Sequence, residues 1–242
     1  HSLLPLFMVG TLGVSVLAVG VIEGVAGSTA LMLLWANDFR AVFWVAVVPG
    51  LMAVVLLVVG IREAPPAATH GPVNPIRREA LARLGGPYWR VVAIGAVFTL
   101  ARFSEAFLVL RAQQVGIAAA WVPLVMVAMN VVYAATAYPF GKLSDSLDHR
   151  KLLALGLVVL VLADLLLATA SGWSLLLLGV ALWGMHMGMT QGLLAAMVAA
   201  AAPADLRGTA YGLFNLLGGL AMLVSSVVAG LLWDTLGSAY TF

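Results

Sequence analysis

Long apolar runs separated by short polar breaks fill the chain, and their lengths set its architecture. A bilayer core of about 30 Å takes roughly 20 apolar residues per helical crossing. Runs of that kind predict spans at about 41–61, 91–110, 117–140, 152–170, 173–202 and 209–233. Residues 3–36 are nearly all apolar, with Glu23 as their single charge. As one helix they would be roughly 50 Å long, too long for an upright crossing, while two full crossings need about 40 residues. One span at about 11–36, preceded by the tail of another, fits best, and Gly20, Gly24 and Gly27 allow close packing or a kink there. The runs do not alternate with period two, which argues against a transmembrane barrel. The expected fold is all-α, a polytopic transmembrane helical bundle.

One stretch breaks the pattern. Residues 62–90 carry Pro65, Pro66, Pro72 and Pro75, and then Ile76, Ala80, Leu81 and Leu84 recur at helical spacing among Arg77, Arg78, Glu79 and Arg83. This predicts a surface linker with a short amphipathic helix resting on the membrane. It divides the chain into 1–61, the end of one helical bundle, and 91–242, a second bundle. The chain opens at His1 inside an apolar run and stops at Ser238-Ala239-Tyr240-Thr241-Phe242, where another apolar segment starts, so it is expected to be part of a longer chain whose other helices complete it.

Threading the spans places Arg62, Arg77, Arg78, Arg83, Arg90, Lys142, Arg150, Lys151 and Arg207 on one side and Arg40 and Arg111 on the other. By the positive-inside rule the first side, with the 62–90 and 141–151 loops, is cytoplasmic, in a cytoplasmic (inner) membrane. Composition agrees: 63% hydrophobic and 9% charged residues leave too little polar surface for a water-soluble globule, and the mean hydropathy is +1.09. The formal charge of +2 is spread over separate loops, which fits topology and not a nucleic-acid partner. With no cysteine there is no disulfide, thiolate metal site or thiol nucleophile. Met185, Met187 and Met189 alternate, cannot share one helical face, and read as packing. No metal or other cofactor is expected.

The polar stretch Gly141-Lys142-Leu143-Ser144-Asp145-Ser146-Leu147-Asp148-His149-Arg150-Lys151 turns the chain between two spans. Gly141 would let two helix ends approach, and Asp145 would accept hydrogen bonds from a helix N-terminus. The bland alternative is a solvated turn. This pattern resembles the cytoplasmic loop signature of the major facilitator superfamily of transporters, although Ser146, Asp148 and His149 stand where that signature has a second glycine and denser basic charge. Phe39-Arg40-Ala41-Val42-Phe43-Trp44 with Pro49-Gly50 looks like the start of that family's sixth helix, Phe98-Thr99-Leu100-Ala101-Arg102-Phe103-Ser104-Glu105-Ala106-Phe107 like its seventh, and Leu206-Arg207-Gly208-Thr209-Ala210-Tyr211-Gly212 like the entry to its eleventh. The order matches helices five to eleven of a twelve-helix transporter. The resemblance implies that Gly141, Asp145, Arg150 and Lys151 belong to a conformational-switch loop.

A charge at membrane depth costs on the order of 3 kcal/mol, so each needs a partner or an aqueous cavity. Arg102 and Glu105 lie one turn apart in a continuous helix and could pair, with Phe98 and Val109 completing their stripe. Asn130 and His186 lie near the middle of their spans and Gln191 a turn or so deeper. The resemblance, in which helices seven and ten line a central cavity and helix eight flanks it, implies a substrate or proton pathway through Arg102, Glu105, His186, Gln191 and Asn130. The competing reading is a self-neutralised Arg–Glu pair and polar side chains that only bond neighbouring helices. Asp164 either turns inward or reaches the interface, and Ala221, Ser225 and Ala229, like Gly208 and Gly212, repeat at the spacing of a packed helix face. The functional expectation is a secondary active transporter of a small solute, not an enzyme, moving its solute by alternating access with proton coupling. The alternatives are an integral-membrane enzyme, against which stands the lack of H-E-x-x-H, P-loop or paired carboxylates, and a channel or assembly subunit.

Overall fold

The computed structural model describes residues 78–118 and 121–242, together with Val47, Leu51, Val54 and Val55. Those four lie in helical conformation at spacings that share one face, and all are exposed. The expected span at 11–36, most of that at 41–61, and the linker up to residue 77 fall outside the described residues.

The described chain is all-α. Helix α1 is Arg78–Arg83, α2 Gly86–Leu100, α3 Ala106–Gln114, α4 Val122–Ser144, α5 His149–Thr169, α6 Trp173–Ala201 and α7 Arg207–Thr235, with single 3-10 turns at Ala204–Leu206 and Ser238–Tyr240. Among the described residues four helical segments are long and apolar enough to cross a membrane: Leu124–Ser144, His149–Thr169, Trp173–Ala201 and Ala204–Thr235.

Helix α6 is the centre of the bundle. It packs most extensively on α4 and α5, while α7 packs chiefly on α2. Lipid offers no hydrophobic drive for helices to associate, so close backbone approach and hydrogen bonds carry the packing. Glycines make that approach possible at specific crossings. A Cβ on Gly184 would run into the Met129 carbonyl of α4, and one on Gly188 into Thr136 Oγ1 and, at 2.9 Å, the Tyr133 carbonyl. On the other side of α6 the roles reverse: a Cβ on Gly156 of α5 would strike the Thr190 methyl. Large apolar side chains fill the rest, with Trp183, Leu160, Leu167, Leu176 and Val180 buried in the main cluster. The small-residue face of α7 is only half as expected: Ala221, Ser225 and Ala229 are buried, but Gly208 and Gly212 are exposed.

Hydrogen bonds pin the ends. Tyr88 Oη donates to the Ala210 carbonyl at 2.9 Å, joining α2 to α7, and Tyr211 Oη to the Ala195 carbonyl at 2.8 Å, joining α7 to α6. At the opposite end Arg111 spreads its guanidinium over the last carbonyls of α5, at 2.9 Å to Leu167, 3.0 Å to Ala168 and 3.0 Å to Ala170, and also reaches Ser238 Oγ at 2.9 Å. A cation at a helix C-terminus satisfies carbonyls that have no intrahelical partner.

Beside α1, Leu84 is buried and Leu81 packs with it against Val198, Ala202 and Leu206 at the ends of α6 and α7. An exposed 2.7 Å ion pair from Arg83 to Asp205 closes the same contact. One expectation is corrected, that of the polar stretch 141–151 as a loop. Most of it is helix, because α4 runs on to Ser144 and α5 starts at His149, leaving only residues 145–148 as the turn.

The glycine contacts give a direct test. Gly184→Ala and Gly188→Ala should each destabilise by about 1–3 kcal/mol, because the new methyl meets helix backbone that cannot rotate away. Gly192→Ala, where a Cβ meets nothing within 4 Å, should be neutral or stabilising by up to about 1 kcal/mol. Thermal unfolding of the purified protein in detergent reads both.

Candidate functional site: an interrupted helix

The predicted span 91–110 is not one helix. Helix α2 stops at Leu100, α3 starts at Ala106, and residues 101–105 between them leave the α-helical path. Near its end α2 tightens, with the Arg102 N–H bonding the Thr99 carbonyl at 3.2 Å. Phe103 turns into the main core, against Trp183 at 5.2 Å between ring centroids and Phe107 at 5.3 Å.

An opened backbone in a membrane protein has to find partners inside the protein. Helix α7 supplies them. Ser225 Oγ donates to the Arg102 carbonyl at 2.9 Å, and the Ser104 N–H donates to Ser226 Oγ at 3.2 Å. Within the segment, the Ala106 N–H bonds Ser104 Oγ at 3.3 Å and the Phe107 N–H bonds the Ser104 carbonyl at 3.1 Å, which starts α3.

The break changes the geometry of the two charges it carries. Glu105 holds the position before α3 without a side-chain capping bond, and Arg102 lies in the opened segment, so the one-turn helical stripe expected for Phe98, Arg102, Glu105 and Val109 does not exist. Among the described residues Arg102 and Glu105 form no ion pair. Both are half-buried, and Arg102 lies within electrostatic reach of Glu105, Tyr133 on α4 and His186 on α6. Tyr133 was not among the residues singled out from sequence; its position three residues after Asn130 was the available signal.

The other polar residues are distributed around this break. His186 is buried at 2% exposure, with Nδ1 at 2.8 Å from the Gly156 carbonyl of α5 and its ring stacked on Phe98 at 6.4 Å. A carbonyl only accepts, so Nδ1 carries the hydrogen and Nε2 is left for other chemistry. Thr190 Oγ1 donates to the His186 carbonyl at 2.8 Å, which fixes the same turn of α6. Asn130 is exposed and donates to the Met126 carbonyl of its own helix at 2.8 Å. Gln191 is half-buried and follows Gly184 and Gly188 on the stripe of α6 that meets α4. Glu105, Tyr133 and His186 are thus the neighbours of Arg102, with no hydrogen bond or ion pair joining the four among the described residues, and Asn130 and Gln191 are not among those neighbours.

Asp164 turns partly into the bundle, where its Oδ1 is buried without a hydrogen-bond partner among the described residues; Trp183 Nε1, next to Phe103, is the other such atom. In the turn after α4, the helix-capping acid is Asp148 and not Asp145: Asp148 Oδ1 accepts the Arg150 N–H at 2.9 Å from an extended backbone position. Gly141 lies within α4, where a Cβ would meet nothing within 4 Å, so it mediates no close approach among the described residues. Pro139, Lys142, Leu143, Asp145 and Ser146 line an open depression of about 430 Å³, and Arg150 and Lys151 are exposed on the first turn of α5.

Comparison with known proteins places this geometry in context. A family model described as Major Facilitator Superfamily matches residues 91–242. An uncharacterized MFS-type transporter of Methanocaldococcus jannaschii is 30% identical over 221 residues, covering 88% of this chain and 54% of that protein. The chain thus spans about half the length of the curated relative it matches. No solved structure matches.

The orphaned carboxyl oxygen yields a test of its own. Asp164→Leu removes a buried polar atom that nothing satisfies, and should raise the thermal midpoint in detergent, by about 1–3 kcal/mol in stability.

Proposed function

The chain belongs to the major facilitator superfamily, and on that premise we propose that it forms part of a secondary active transporter moving a small solute across the cytoplasmic membrane by alternating access, coupled to protons. Membership of this family points to transport and away from an enzyme. The observation that carries the reading is the interruption at 101–105, which holds Arg102 and Glu105, with no ion pair between them among the described residues, in a stretch whose sequence predicts a membrane span. Irregular backbone and free charge survive at membrane depth only where they line a cavity or are buried in protein. Discontinuous helices of this kind build solute and ion sites near the bilayer midplane.

The proposed roles follow from position. Glu105, at the start of α3, is the proton carrier, and Arg102 is the fixed charge that answers it and the solute. His186, braced on Gly156, presents Nε2 as a neighbouring polar group, while Asn130 and Gln191 line the approach along α4 and α6. In orientation, Arg83, Arg90, Lys142, Arg150, Lys151 and Arg207 gather toward the bundle end where α1 is seated, and the positive-inside rule makes that end cytoplasmic. The Gly141, Asp145, Arg150 and Lys151 stretch lies at that end, where it serves as the switch loop. The remaining helices of the transporter supply the facing half of the site.

The test uses the full-length protein in vesicles loaded with pyranine, whose fluorescence reports lumenal pH. Addition of the transported solute from a screened set should acidify the lumen. Glu105→Gln should abolish that acidification while leaving solute exchange across the membrane intact. Acidification by Glu105→Gln equal to that of the parent would remove Glu105 from the proton pathway.

A further inference from the structure

The hydrogen bonds that close the break on α7 share a donor with α7 itself. Ser225 Oγ has one hydrogen and two carbonyls within reach, Arg102 on the interrupted segment at 2.9 Å and Met222 on its own helix at 3.1 Å. The two carbonyls compete for that hydrogen and share it in this arrangement. Ser226, the next residue, holds the Ser104 N–H at 3.2 Å. The segment 101–105 contains no glycine or proline, so nothing local compels it to leave the helix.

We propose that Ser225 and Ser226 form a releasable catch that holds the α2–α3 helix open and thereby sets the distance between Arg102 and Glu105. The proposal rests on the transporter reading above and adds positioning residues to its site. In the engaged state α7 satisfies the Arg102 carbonyl and the Ser104 amide, and the two charges stay unpaired. In the released state Ser225 turns its hydrogen to Met222. The freed backbone then has one inexpensive way to satisfy itself at membrane depth, which is to resume the helical ladder across 101–105. A continuous helix brings Arg102 and Glu105 to adjacent turns of one face, where they can pair. The same side chains are therefore open to solute and proton in one state and self-neutralised in the other. Two arrangements with different hydrogen-bond partners are what a bistable element requires.

Hydrogen–deuterium exchange of the full-length protein in nanodiscs, read on the peptide spanning 101–105, tests the catch without any need for transport. Ser225→Ala/Ser226→Ala should slow exchange of the Phe103, Ser104 and Glu105 amides severalfold, because loss of the catch drives them into the helix. Ser225→Thr/Ser226→Thr, which keeps both hydroxyls, should restore the parental rates. If the serines only brace an irregular segment, the alanine pair will exchange faster or unchanged, and the proposal fails. A monodisperse size-exclusion profile and parental exchange in α5 show that the variant has folded; if the alanine pair fails this check, Ser225→Ala alone must slow the same amides or the proposal is overturned. Solute-driven acidification, measured in parallel, separates this result from the transport reading: slowed exchange in a protein that moves no solute would keep the catch and discard the function.

Discussion

The close approach of α6 to two neighbours at once is the constraint on which the rest of the bundle depends. Gly184 and Gly188 bring its backbone against α4, and the facing Gly156 lets α5 in on the other side. His186 and Tyr133, on α6 and α4, take their positions from that seam, while the break itself is held by α7. Tyr133 contributes backbone to the Gly188 contact and a side chain near Arg102, so a shift of α4 along α6 would move one with the other. His186 lies between the two glycines of α6, and its bond to the Gly156 carbonyl is short because that residue has no side chain to hold the helices apart.

Backbone satisfaction is the second organising demand. Helix ends and interruptions leave donors and acceptors that lipid cannot serve. At several of them the structure supplies a specific side chain: Arg111 for the end of α5, Asp148 for its beginning, Tyr88 and Tyr211 between helices, and the two serines of α7 for the break. Arg111 is suited to its task because one planar fork reaches several carbonyls together, which a lysine ammonium does less well.

The number and order of the spans from α4 onward were legible in the sequence, since uninterrupted apolar runs of about 20 residues have few other uses. Their ends were less so. Lys142 and Ser144 read as loop but sit in the last turn of α4, where a long basic side chain can reach the interface and a serine can bond back to a carbonyl, as Ser144 does to Gly141. With Ser144, Asp145, Ser146 and Asp148 all able to cap, residue chemistry alone did not single out Asp148. The break was illegible for a stronger reason. Its own residues have no breaker, and its stabilising partners lie more than a hundred positions away, where Ser225 read as one more small residue on a packed face. Gly184 and Gly188 did carry a signal, a four-residue glycine spacing, but it was masked by the alternating methionines around it. Arg102 and Glu105 were found because charge inside an apolar run is conspicuous, yet the continuous helix assumed for them is broken between Leu100 and Ala106.

The sequence separation of the clasp has a consequence for how the chain is made. Ser225 lies 123 positions after Arg102, and Ser226 122 after Ser104. At about 5–20 residues per second, roughly 6–24 s of synthesis pass between emergence of the segment and emergence of its partners. During that interval the backbone at 101–105 has no α7 to bond. On the catch proposed above, the interruption can be held only after α7 has been made.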